Sequence, residues 1–409
     1  MGDVPTPEDM QEIEVSVRRS EEAMGETLRT MEEVRSINGS FPFTAPMRRW
    51  KEKGKHIMGW GCSYVPSEIL SAAGLLPIRV TGDAREIPTD EGDAYLYTAM
   101  CSYSRTLLQL GIDGQYDFLD GFVTTSSCDG MRRLVDMWRH YVVQTPLLHI
   151  LTLPRHATAA AEQLFYEELQ AFRKKLEEHF GVAIIDEALR EAIHVQNQTR
   201  QLLKELYELR KEPNPPISGA ETFEAVNAGV RMPRDEYNDL LIRLLQEARA
   251  RTIEGPPKIR LMLSGSNLSN PAFIAGIEDQ GAAVVIDDLC TGARYWSDPV
   301  DEDPGLDPMR ALAHRYLNNL PCARTVGLAD IRHARMLGLA REYRVQGLVN
   351  AVIRNCAPNG MDRPPLREEF EDAGIPVLEL ETEYGSGRTG MVATRVQAFL
   401  EMLYAQAAT

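Results

Sequence analysis

The sequence predicts an α/β protein built from two parallel-sheet lobes, and three observations predict it. Short apolar runs alternate with amphipathic stretches over residues 51–156, and the same rhythm returns over residues 255–409. Residues 157–254 between them carry a helical apolar period with no strand-like run. Gly and Pro clusters mark the changes of pattern, at Asn38-Gly39, at Pro213, Pro215 and Pro216, and at Gly255-Pro256-Pro257.

Residues 1–50 read as a helical lead-in, rich in Glu, Arg and Met from Pro5 to about Arg35 and broken at Asn38-Gly39. In the first lobe, residues 51–156, the runs His56–Gly59, Leu75–Val80, Phe118–Thr125 and Pro146–Leu153 are expected strands. Val65–Ala73, Ser102–Leu110 and Gly130–Tyr141 between them are expected helices. The connector, residues 157–254, opens with Phe165, Leu169, Phe172, Leu176 and Phe180 on one helical face, which Gly181 ends. A second helix runs from Asp186 to about Arg210, and a third from Pro233, which suits a first turn, to Arg251. In the second lobe, residues 255–409, the expected strands are Ile259–Leu263, Ala282–Ile286, Gly347–Ile353 and Ile375–Leu380. Helices over Pro271–Gln280, Met309–Asn318, Ile331–Arg344, Pro365–Ala373 and Met391–Ala405 separate them. The lobes share a βα rhythm without a short-period repeat.

Charge and hydropathy narrow the function class. The net charge of −16 and the lack of a basic block or arm argue against nucleic acid as a partner. No run reaches the ~18 apolar residues of a membrane helix. The acidic N-terminus lacks the pattern of a secretory signal, so a cytoplasmic enzyme with no membrane partner is expected.

Six cysteines in 409 residues are too sparse for a disulfide scaffold, and none forms a CxxC pair. Their places on the element map are more informative. Cys62 follows the first strand, Cys101 precedes the helix at Ser102, and Cys128 lies between a strand and the helix at Gly130. Cys290 and Cys356 follow strands of the second lobe. Side chains at the carboxyl ends of parallel strands face the ligand crevice, and helix N-termini favour the thiolate that binds metal. Cys322, after Pro321, has a less obvious position. A lone cysteine is most often a small buried hydrophobe, but five at strand ends point to a metal. Thiolate-only ligation leaves zinc or iron–sulfur, and the absence of a closely spaced ligand pair favours iron–sulfur. The eight histidines do not choose between the two.

Phosphate-binding candidates are Ser264, Gly265 and Ser266, in a turn between strand and helix, and Arg388 in the Gly385–Gly390 stretch. Either stretch also reads as a plain turn. No GxxxxGK[ST] sequence occurs, so the chain has no P-loop of its own for ATP.

The stretch Gly61-Cys62-Ser63-Tyr64-Val65-Pro66-Ser67-Glu68, continuing to Gly74-Leu75-Leu76-Pro77, resembles the opening motif of the 2-hydroxyacyl-CoA dehydratase and benzoyl-CoA reductase family. The resemblance continues through Met100-Cys101-Ser102, Ser127-Cys128-Asp129-Gly130-Met131, Asn270-Pro271, Asp287–Gly292, Asn355-Cys356 and Leu380–Tyr384. It covers about Arg48 to Leu403 and implies two Rossmann-like lobes holding a [4Fe–4S] cluster, paired with a related or identical subunit. It further implies a separate iron–sulfur ATPase activator that supplies a strongly reducing electron. Oxygen-sensitive single-electron chemistry on an acyl-CoA substrate follows. In the dehydratases a ketyl radical of the thioester precedes loss of water, and in the reductases electrons enter an aromatic acyl ring.

By motif, the family's cluster ligands map onto Cys101, Cys128 and Cys356. Three thiolates leave one iron of a cubane open as a Lewis acid. Glu68 is the candidate proton-transfer group beside it, with a capping or surface carboxylate as the alternative. Cys62, Cys290 and Cys322 are then surplus. They serve either as structural cysteines beside one cubane or as ligands of a second, as in the family's double-cubane proteins, which reduce small molecules without CoA. A noncatalytic electron carrier or a zinc-stabilised scaffold is the rival from another class.

Overall fold

Four strands in the first half of the chain pair in parallel in the order β2-β1-β3-β4, and four in the second half repeat that order as β6-β5-β7-β8. They are β1 (Ile57–Trp60), β2 (Leu76–Arg79), β3 (Gly121–Thr125), β4 (Leu148–Leu151), β5 (Ile259–Gly265), β6 (Ala282–Asp288), β7 (Gly347–Ile353) and β8 (Val377–Thr382). The computed structural model describes residues 28–82, 87–319, 322–325, 327–387 and 390–407. All eight strands stand where apolar runs predicted them, and the protein is an α/β fold of two Rossmann-like parallel sheets.

The central strands β1, β3, β5 and β7 are buried at every residue, which is why they read as continuous apolar runs. Every pairing is parallel; Met58 of β1 stands opposite Pro77 on one side and Gly121 on the other. In each sheet the chain leaves its first strand to one side and then crosses to the other. The order therefore reverses between β1 and β3 and between β5 and β7, and crevices open at such reversals.

The connector helices are Ala159–Phe180, Asp186–Glu208 and Arg234–Ala250. Phe165, Leu169, Phe172 and Leu176 are buried as their spacing predicted, and Gly181 ends the first helix in the left-handed conformation. The core beneath the first two helices includes Trp60, Val65 and Ile69 from the first sheet's side. It also includes Met309, Leu312 and Tyr316 of the helix Pro308–Asn318, from far along the chain.

Helices over Ala45–Glu52, Asp90–Tyr95, Gly219–Gly229 and Ala293–Trp296 were not anticipated. The third carried a readable signal, a capping box in which the Ser218 hydroxyl accepts from the Glu221 amide and the Glu221 carboxylate from the Ser218 amide. The helix expected from Pro365 starts at Ala357 and runs to Asp372, through Pro364 and Pro365. Each proline leaves a carbonyl four residues earlier without its intrahelical donor. Those carbonyls belong to Gly360 and Met361, which are exposed, so water can take the place of the missing N–H. Of the lead-in, residues 1–27 lie outside the described residues, and Thr30–Gly39 is helical. No helix among the described residues is long and apolar enough to cross a membrane.

Candidate metal centre

All six cysteines line one crevice of about 120 Å³ between the carboxyl ends of the two sheets. β1 delivers Cys62, β3 delivers Cys128, β5 delivers Ser266 and Asn267, β6 delivers Cys290, and β7 delivers Cys356. The two strand-order reversals therefore face each other, and the thiols converge there. Each thiol is partly exposed, and none is in a disulfide.

The cysteines divide into two groups by what they pack on. Cys101, Cys128 and Cys356 lie against the core that contains Leu107, Phe122 and Trp138. Each is the N-cap residue of a helix, Ser102–Ile112, Asp129–Tyr141 and Ala357–Asp372 respectively. Half a positive charge at each helix start then faces a sulfur. Cys62 and Cys322 lie against the connector core. Cys290 joins them, because Ser63 Oγ donates to its carbonyl at 2.7 Å and Arg79 Nη1 donates to the same oxygen at 2.7 Å. Cys322 reaches the crevice from a loop, a position its Pro321-Cys322 context did not reveal.

Burial and neighbouring thiols raise Cys101, Cys128 and Cys322, which favours their protonated form when nothing binds them. Burial first, and then Cys101, push Cys128 up to about 12. Cys101 is raised by burial and by Cys356, and Cys322 by burial, with Arg294 acting in the opposite direction. Thiolates this close ionise together only when a multiply charged cation binds them.

Which cation is narrowed by the donor set. No His, Asp or Glu stands among the described residues lining the crevice, and sulfur alone selects soft metals or iron–sulfur clusters. Among the described residues no three His, Cys, Asp or Glu side chains meet closely enough to hold a single ion. Zinc and iron–sulfur clusters can both be bound by thiolates alone.

A profile of the 2-hydroxyglutaryl-CoA dehydratase D-component matches residues 62–403, which takes in every one of the six cysteines. The chain belongs to this family. It is similar to a subunit of the benzoyl-CoA reductase of Thauera aromatica, with 26% identity covering 88% of this chain and 94% of that one. The beta subunit of (R)-2-hydroxyglutaryl-CoA dehydratase of Acidaminococcus fermentans is 26% identical over 91% of this chain and 98% of its own. The beta subunit of lactoyl-CoA dehydratase of Anaerotignum propionicum is 24% identical over 86% and 93%. The family resemblance read from the motifs is therefore correct, and the protein is an enzyme of this dehydratase and reductase family.

Other expected site residues fall elsewhere. Glu68 does not line the crevice. It is fully buried, with Oε1 accepting from Arg200 Nη2 at 2.6 Å and Oε2 from Tyr316 at 2.7 Å. Burial alone would raise its carboxyl, but Arg200 and then Arg315 outweigh burial and hold it below the ordinary value. Glu68 is thus tied to Arg200 and Tyr316 in the core.

Ser264 and Gly265 belong to β5 rather than to an open phosphate cradle. Arg332 Nη2 donates to Ser264 Oγ at 3.3 Å, and Ser266 spends its amide on the Ala351 carbonyl at 3.0 Å. Gly265 has φ +142°, and a Cβ there would stand 1.7 Å from the Ala351 oxygen, so glycine is required by the neighbouring strand. Ser266 does line the crevice, with its hydroxyl accepting from the Ile353 amide at 3.1 Å. Arg388 lies outside the described residues.

Sequence reasoning missed Arg79, Arg294, Arg324, Tyr64 and Tyr103, which complete the crevice wall. One signal was available: Arg79 is a charged residue inside the apolar run Leu75–Val80. A buried strand keeps such a charge only where something opposite needs it.

Proposed function

We propose that the crevice holds two iron–sulfur clusters side by side, one on Cys101, Cys128 and Cys356 and one on Cys62, Cys290 and Cys322, and that the chain uses them to reduce a small substrate. The observation that carries this reading is the meeting of all six cysteines in one crevice. Clusters bound there would supply low-potential single electrons and, at irons without a thiolate, Lewis acidity. The chain's own residues do the rest. The first three cysteines stand at helix N-caps, and Ser63 and Arg79 tie the Cys290 turn to the first lobe. Asn359 Nδ2 donates to Cys356 Sγ at 3.3 Å and orients that sulfur.

A second reading, an acyl-CoA dehydratase or benzoyl-CoA-type reductase subunit with one [4Fe–4S] cluster, is favoured by the names of the relatives. Both readings include a related or identical partner subunit, since the relatives are named subunits, and a separate iron–sulfur ATPase activator, since the chain has no P-loop.

Anaerobic purification followed by iron, sulfide and zinc analysis tests the proposal. About eight irons per chain is the expected result, and about four supports the single cluster. Zinc without sulfide refutes both. Turnover is expected to require ATP and the activator, and a rate unchanged by either contradicts that part.

A further inference from the structure

Three buried arginines wall one side of the crevice, and too few carboxylates face them. Arg79 is 2% exposed. Its Nη2 donates to Cys290 Sγ at 3.5 Å, its guanidinium lies over the Trp60 ring at 4.9 Å, and its Nε has no partner among the described residues. The groups acting most on its charge are Cys290, Tyr103 and Cys62, with no carboxylate among them. Arg324 donates to the carbonyls of Pro154 and Leu153 at 2.9 and 3.3 Å and faces the Tyr64 ring at 5.6 Å. Arg294 reaches Asp288 at 3.5 Å, but Asp288 also binds Arg332 at 2.7 Å. Nε and Nη1 of Arg294 are left without hydrogen-bond partners among the described residues.

A guanidinium cannot shed its proton, so a buried one needs a negative counterpart. Arg79 has Cys290 Sγ within reach, and Arg294 has only the Asp288 carboxylate that it shares with Arg332, with Cys290 and Cys322 lining the same crevice. The other three thiols have weaker support. The side chains that hydrogen-bond Cys101 and Cys356 are neutral, Ser104 Oγ at 3.7 Å and Asn359 Nδ2 at 3.3 Å. Their helix starts supply half charges, and Asp129 in the first turn after Cys128 offsets one of them.

We propose that Arg79, Arg294 and Arg324 make the Cys62–Cys290–Cys322 side the electron-accepting side of the crevice, so that the cluster held there is reduced before the one on Cys101, Cys128 and Cys356. This rests on the two-cluster reading. The step takes one electron from an external low-potential one-electron donor, adds one negative charge and breaks no bond. Fixed full charges beside the sulfurs stabilise that added charge more than half charges do, and so raise the potential of their side. The arginines act through the cluster and are positioning residues.

The test is an anaerobic redox titration of the whole chain, followed by EPR, with iron and sulfide counted on each sample. Arg79→Gln is expected to keep its iron and to make the first reduction at least tenfold less favourable, about 59 mV for one electron. The second step should move less, and Arg79→Lys should stay near wild type. Cys128→Ser and Cys290→Ser provide a comparison that leaves the arginines intact. The cluster remaining in Cys128→Ser should titrate at the wild-type first potential, above the one remaining in Cys290→Ser. Equal or reversed potentials in that pair, or a fully loaded Arg79→Gln with both potentials unchanged, overturn the proposal. A wild-type count of about four irons sinks the two-cluster reading instead, and the iron assay distinguishes that failure from the first.

Discussion

Replacing Glu68 by Gln separates a structural carboxylate from a catalytic one. Glu68 is the carboxylate that faces both Arg200, at 2.6 Å, and Arg315, whose own donors go to the carbonyls of Asp298, Tyr295 and Ser297. Its loss leaves two buried guanidiniums uncompensated, and removing one partner of a buried pair costs about 3–5 kcal/mol. At ~2.1 cal/mol/K of unfolding entropy per residue over 409 residues, a loss of ~4 kcal/mol lowers Tm by roughly 5 °C. The assay is thermal unfolding of the anaerobic protein at neutral pH. Because the folded carboxyl is held below its ordinary value, its stabilisation is complete above that value and is lost only as pH falls through the depressed one. The wild-type advantage should therefore shrink in acid. Glu68→Leu combined with Arg200→Met should recover part of the stability, with Arg315 still unanswered. A Glu68→Gln protein that melts like wild type while losing turnover would refute this reasoning and restore a proton-transfer role.

The remaining expectations concern the crevice and the two sheets. Cys322→Ser, the substitution furthest from the family motifs, should lower iron from about eight to about four per chain, and an unchanged count removes Cys322 from the ligand set. Gly265→Ala should be far more damaging than Gly255→Ala. Both sites have positive φ, worth more than ~1 kcal/mol for alanine, but only Gly265 adds a collision with the Ala351 oxygen; equal denaturation midpoints would show that the strands can part. His333 has Nδ1 2.9 Å from Glu369 and Nε2 3.1 Å from Asp362. Burial opposes its charge, yet Asp362 and Glu369 raise it above the ordinary 6.5. Its stabilisation is then full below pH 6.5 and lost as pH rises through the raised value. Urea midpoints should fall across that range in wild type and stay flatter in His333→Gln, and parallel curves would count against the assignment.

Much of this protein was legible before any coordinates. The central strands, buried on both faces, appear as unbroken apolar runs, and apolar runs also marked the less buried edge strands β4 and β8, so all eight were placed. Helix faces such as Phe165–Leu169–Phe172–Leu176 follow from the 3.6-residue period alone. Cys62, Cys128, Cys290 and Cys356 could be assigned to a crevice because the end of a parallel strand is a position in three dimensions as well as in sequence, and Cys101 because it caps a helix start.

What the sequence determined by itself was thus the set of local elements, their order, and the chemistry of the thiols at their ends. Tertiary structure decided which groups meet across long separations. It brought Cys322 into the crevice and carried Arg200 and Tyr316 to Glu68 across 132 and 248 positions. It also placed Arg324 against the Pro154 and Leu153 carbonyls and brought Arg79 to Cys290. No local period encodes such meetings, because they depend on how two sheets face each other once their helices are buried. The partners of a buried charge, such as those of Glu68, are chosen by that packing.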